Sequence, residues 1–356
     1  MLSSSNLNRP RRPAVVILVA ILVVGFSLRA WNIFSQGHLS SDGLLYYELS
    51  RGLIEEGRVL SGKAVRTVVT RSNLEFYDNL FLQGKYGYML LILISFLVAG
   101  VKLETVLYLN LFLGTATLFA IFLLGKTVFN EKTGLVATAI GALSLVLINY
   151  SRVGLTSSGS MFFFTMGLVF FFRHLKGEAS CGMFHRLFFS GILIGYAFTI
   201  HYNLAYYFLL VYFSHLALVL FSRRDYPKQL RENLILASGL ILPLVVFEFG
   251  YPIVYYVIYK KHVLFTYFQE VLYNALEAGG GSLKWNYFIL FLSLAESPAF
   301  CVLVFFSMGW FLFYAFKDRD IFKGLLFLFA FFPPFFLSFL DLIFLKLHPH
   351  ENPKIY

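Results

Sequence analysis

The chain has 356 residues, of which 58% are hydrophobic and 13% charged, with a formal net charge of +10 and a mean hydropathy of +0.73. A soluble domain carries about 25% charged residues, so this composition excludes one and points to a polytopic membrane protein. The Lys and Arg lie in short loops between apolar runs, where they set membrane orientation; the positive charge therefore gives no reason to expect nucleic acid as a partner.

In chain order, a polar leader holding Arg9, Arg11 and Arg12 precedes an apolar run from Ala14 to Phe34. That run is long enough to span the bilayer, and Leu28-Arg29-Ala30-Trp31 does not look like a cleavage site, so the run reads as an uncleaved anchor with the N-terminus in the cytoplasm. Residues 36–103 then form a first outer loop. It opens with Ser41-Asp42-Gly43, which predicts a helix capped by Ser41 or Asp42 and closed by Gly57. Leu45, Tyr46, Leu49 and Leu53 fall on one face, and Glu48, Arg51 and Glu55 fall elsewhere. A carboxylate in the first turn gains about 0.3–1 kcal/mol from the helix dipole, which makes Asp42 a candidate base.

The apolar run Tyr86–Val101 falls between the lengths of a spanning and an interfacial helix, so loop charge decides. If it lies along the outer surface, Lys126, Lys132, Arg173, Arg186, Arg223, Arg224, Lys228, Arg231, Lys317, Arg319 and Lys323 are all cytoplasmic. The expected architecture is all-α, with about nine spans near 14–34, 105–125, 133–150, 157–173, 187–202, 204–221, 233–258, 297–316 and 323–345, in one transmembrane domain covering 1–356. Interfacial helices occupy the first outer loop, and 259–296 forms a second outer segment. Cys181 and Cys301 are too few and too separated for a disulfide framework. No metal-ligand spacing or Gly-rich phosphate loop is present.

Several stretches in their order resemble the GT-C membrane glycosyltransferases, in the branch of protein O-mannosyltransferases and lipid A aminoarabinose transferase. They are Arg29 before Asp42, Tyr46 or Tyr47 and Gly57; the helix-like run Tyr86–Gly100; the turn Leu124–Leu135; Tyr150-Ser151-Arg152; Asn286-Tyr287-Phe288 with Pro298; and Lys354-Ile355-Tyr356. The resemblance covers most of the chain, with three departures. The family's Asp-Glu is Asp42-Gly43 here, the acid often placed after Ser151-Arg152 is replaced by Ser157 and Ser158, and the family continues with further C-terminal spans.

The resemblance implies transfer of a sugar from a polyprenyl-phosphate carrier to a glycan, lipid or protein acceptor at the extracytoplasmic face of a bacterial or archaeal plasma membrane. It leaves room for a divalent cation and for a partner subunit. Asp42 would be the general base, and Tyr46, Tyr47 and Arg152 would line the acceptor and donor pocket. The leaving lipid phosphate needs cations, for which Arg29, Lys260, Lys261, Lys284 and Lys354 are candidates. The same Lys and Arg also suit snorkelling to headgroups, Trp31 and Trp285 suit an aromatic belt, and Glu55, Glu56, Glu75 and Asp78 suit a solvated face. Glu248, Glu296 and Asp341 lie in or beside apolar runs, where a charge is costly, so a transporter using intramembrane acids is an alternative. A non-catalytic membrane subunit is another.

Overall fold

The computed structural model describes residues 12–33, 39, 41–55, 85–177, 183–201, 204–221 and 226–259. Every regular element among them is an α-helix. The helices are α1 (Arg12–Ala30), α2 (Ser41–Glu55), α3 (Tyr86–Ala99), α4 (Leu103–Val128), α5 (Glu131–Leu143), α6 (Leu145–Tyr150), α7 (Thr156–Leu175), α8 (Met183–Ile200), α9 (Ala205–Phe221) and α10 (Tyr226–Tyr259). They fall in two compact units, one holding α1–α8 and α10 and the other holding α9.

Four helices among the described residues are long and apolar enough to cross a membrane: Pro13–Ala30, Leu103–Val128, Thr156–Leu175 and Leu230–Gly250. The chain is an integral membrane protein. The expected spans near 187–202 and 204–221 are shorter apolar helices, as is Tyr86–Ala99, and those near 297–316 and 323–345 lie outside the described residues. Outward faces such as Val15, Val16, Val19 and Val23 on α1 stay exposed, as lipid-facing surfaces do.

The expected single span near 133–150 is instead two helices. The backbone of Ser144 turns extended (ψ 119), ending α5, and its hydroxyl accepts the Leu147 N–H to start α6. Hydropathy is blind to this break, because a Ser between apolar runs hardly lowers a window average. The other end of α5 begins as its sequence directs, with the Asn130 carboxamide accepting the Thr133 N–H at 2.9 Å.

Two glycine contacts fix the close crossing of α8 and α10. A Cβ on Gly191 would stand 2.7 Å from the Leu236 carbonyl oxygen, and one on Gly195 would collide with that of Leu240. Small residues four apart let the two backbones meet where apolar lipid offers no hydrophobic drive. Helices α2 and α3 share a core with α4 and the end of α8, through Tyr46, Tyr47, Tyr88, Ile92, Phe96, Val106 and Ile200. Leu45, Tyr46 and Leu49 are buried as the periodicity predicts. Tyr47 and Ser50 are buried with them, because α2 has packed neighbours over more than one stripe.

Candidate active site around Asp42

Asp42 lies in the first turn of α2 with its side chain 48% exposed, and its Oδ2 is 3.5 Å from the Nζ of Lys85. Lys85 immediately precedes α3 and is only 13% exposed. Its ammonium also stands 5.3 Å from the centre of the Tyr46 ring, a cation–π arrangement that fixes the side chain on the α2 side. An ion pair with one half-exposed partner stabilises a fold by about 1 kcal/mol at most. The pair is therefore a weak reason for stability, and its interest lies in what it places at the surface.

Tyrosines join the elements around it. The rings of Tyr46 and Tyr88 meet edge to face at 5.6 Å, and Tyr47 meets Phe96 in the same way, also at 5.6 Å. The buried Tyr88 hydroxyl donates to the Gly154 carbonyl at 2.9 Å and accepts from the Asn110 amide nitrogen, so α3 is tied to the 151–154 turn and to α4. Gly154 adopts φ +66, a left-handed conformation that glycine takes without strain. The Tyr196 hydroxyl donates to the Gly87 carbonyl at 2.8 Å, pinning the start of α3 to α8. In the turn just after α8, burial lowers the pKa of the His201 imidazole to about 4, with the Lys85 charge lowering it further and the Asp42 charge raising it. The start of α2 and the residue before α3 thus bring an acid and an ammonium together.

On the next turn of α2, Arg51 bridges Glu48 at 2.8 Å and Glu55 at 3.7 Å. The Glu48 side chain is 11% exposed, so the acid that the helical pattern places off the apolar face is buried and paired. Burial pushes the Tyr47 phenol above its ordinary pKa; the cation of Arg51 draws it down and the Glu48 carboxylate raises it further.

The other sequence-predicted residues are distributed as follows. Tyr46 and Tyr47 are buried, Tyr46 with its ring against the Lys85 ammonium and Tyr47 against Phe96 and Arg51. Arg29 is 0% exposed, and its guanidinium donates to the carbonyls of Gly25, Gly141 and Ala142. Arg152 donates to the carbonyls of Trp31 and Asn32 at 2.8 and 3.4 Å, closing the 151–154 turn onto the end of α1. Trp31 is 75% exposed. Lys260, Lys261, Lys284 and Lys354 lie outside the described residues, as do Glu75, Asp78, Glu296 and Asp341. Asp42 belongs to no group of three metal-ligating side chains among the described residues. The residues that sequence reasoning missed are Lys85 and His201, each standing alone at the edge of an apolar run, where a cation or an imidazole ordinarily anchors a helix to the interface.

No protein-family model matches the chain, and no curated protein matches it. Among solved structures it is similar to the archaeal oligosaccharyltransferase AglB from Archaeoglobus fulgidus, solved in complex with an inhibitory peptide and a dolichol-phosphate. The TM-score is 0.50 at 16% sequence identity, over 96% of this chain and 39% of that one. What the two share is a fold. The chain spans well under half the length of that protein.

Proposed function

We propose that this chain is an integral-membrane glycosyltransferase of the GT-C type, which moves a sugar from a polyprenyl-phosphate carrier to a glycan, lipid or protein acceptor at the extracytoplasmic face. The observation that carries this reading is the Asp42–Lys85 pair at 3.5 Å, at the start of the amphipathic α2 and the apolar α3, in a fold like that of an oligosaccharyltransferase.

The chemistry asks for the two charges that the pair holds. The acceptor attacks the anomeric carbon, the bond from that carbon to the phosphate oxygen breaks, and the phosphate leaves with the electron pair. Asp42 takes the acceptor's proton, which for a positioned base is worth about 10²–10⁴-fold in rate. Lys85 meets the charge that grows on the carrier phosphate. In the resting protein the two neutralise each other. A bound phosphate competes for Lys85 and frees the Asp42 carboxylate, so donor binding prepares the base. Lys260, Lys261, Lys284 and Lys354 are further candidate cations for the same phosphate, and Arg152 holds the turn beside it. Arg29, committed to backbone carbonyls, is not assigned to the phosphate.

The test is to incubate the purified chain in lipid nanodiscs with a mixed pool of labelled polyprenyl-phosphate sugars. Loss of carrier-linked sugar, by transfer or hydrolysis, is expected for the parent and not for Asp42→Asn. Equal consumption by both, or none by the parent, overturns the reading.

A further inference from the structure

Arg29 is the largest fully buried side chain in the described residues, and no carboxylate among them pairs with it. Its Nη1 donates to the Gly25 carbonyl at 2.9 Å and the Ala142 carbonyl at 3.3 Å, and its Nη2 donates to that of Gly141 at 3.1 Å. Gly141 and Ala142 are in the last turn of α5, where the break at Ser144 removes the amides that would have continued the ladder. The Ser144 carbonyl serves the new helix instead, accepting the Ile148 N–H at 2.9 Å. A helix interrupted inside a membrane protein leaves carbonyls that water does not reach, and here one guanidinium covers them.

The covered break has consequences towards the 151–154 turn. Helix α6 carries the chain to Ser151, whose hydroxyl donates back to the Leu147 carbonyl at 2.6 Å. Gly114 of α4 approaches so closely that a Cβ there would overlap Ser151 and stand 3.6 Å from Arg29 Nε. Next, Arg152 binds the carbonyls that end α1, and the Gly154 carbonyl accepts from Tyr88. Tyr88 packs against Tyr46, whose ring faces the Lys85 ammonium paired with Asp42. Contiguous contacts therefore run from Arg29 to the charged pair.

We propose that Arg29 is a positioning residue for the Asp42 site: by capping the broken end of α5 it fixes α6 and the 151–154 turn, and that turn fixes Tyr88, which packs against Tyr46 beside the Asp42–Lys85 pair. A direct role for Arg29 on the donor phosphate is the competing reading. The activity arm of the test rests on the glycosyl-transfer function proposed above; the structural arm does not.

The test uses the full chain in nanodiscs as Arg29→Met and, because an uncapped break can impair folding, also as Arg29→Lys. Hydrogen–deuterium exchange of residues 145–155 and 86–90 should be faster by about tenfold or more in Arg29→Met and intermediate in Arg29→Lys, with residues 188–196 at the α8–α10 crossing unchanged. Turnover should fall about 10–10²-fold, as for a misplaced reacting group, with donor KM within about twofold of the parent. Unchanged exchange, or exchange raised equally in 188–196, overturns the proposal, and a raised donor KM with parental exchange assigns Arg29 to the phosphate. A parent without transfer activity defeats the proposed function, while the exchange result still decides the positioning role.

Discussion

The Nζ of Lys85 stands 3.5 Å from Oδ2 of Asp42, a pair formed across 43 positions of sequence by the docking of α2 on α3. It joins the candidate base to the cation that would receive the leaving phosphate, and it makes the two separable by mutation.

Asp42→Asn keeps the size of the side chain and an acceptor oxygen for the start of α2, so stability should change by no more than about 1 kcal/mol. Turnover should fall by about two orders of magnitude or more, with donor KM near parental. Glu55→Gln, at a side chain 50% exposed on the same helix, is the control and should stay near the parent. Steady-state transfer with a labelled donor checks this; a dead Glu55→Gln with an active Asp42→Asn moves the base elsewhere on α2. Glu48 is a poorer control, since its side chain is 11% exposed and carries the closer of the two bridges to Arg51.

Lys85→Met should raise donor KM about tenfold or more, because a charge-assisted contact to phosphate is lost, and Lys85→Arg should recover part of it. A titration of donor against both variants reads the result. Unchanged KM in Lys85→Met would reduce the lysine to a tether for α2.

Tyr88→Phe removes a hydroxyl that serves two buried partners, the Gly154 carbonyl and the Asn110 amide. Leaving both unmet should cost about 1–3 kcal/mol, read as a lower midpoint of thermal unfolding in detergent. A midpoint equal to the parent's would mean that the network is already relaxed without the hydroxyl.

Loop charge predicts the orientation, and exposed side chains test it. Cysteine at Lys102 should react with an impermeant thiol reagent in intact cells, and cysteine at Lys132 or Lys228 should not. The opposite pattern would invert the helices and put Asp42 on the cytoplasmic face.

What the sequence determined by itself is what short-range physics controls. The membrane class follows from composition. The first anchor, the Asp42 helix with its buried Leu45, Tyr46 and Leu49, and the helix Tyr86–Ala99 follow from apolar runs and a 3.6-residue period, each read within a few turns of chain. The tertiary structure decided whatever depends on partners far along the chain. Ser144 breaks an apolar run because a guanidinium 112 and 113 positions away covers the freed carbonyls of Gly141 and Ala142, and no local window contains that donor. Arg29 becomes a buried cap rather than a surface cation for the same reason. Lys85 ceases to be an isolated interfacial lysine only when α2 packs on α3 and brings Asp42 to it. Glu48, off the apolar stripe by its spacing, is buried because neighbouring elements cover more of α2 than one face. Burial and charge pairing are properties of the assembled surface, so a pattern that records each helix alone cannot contain them.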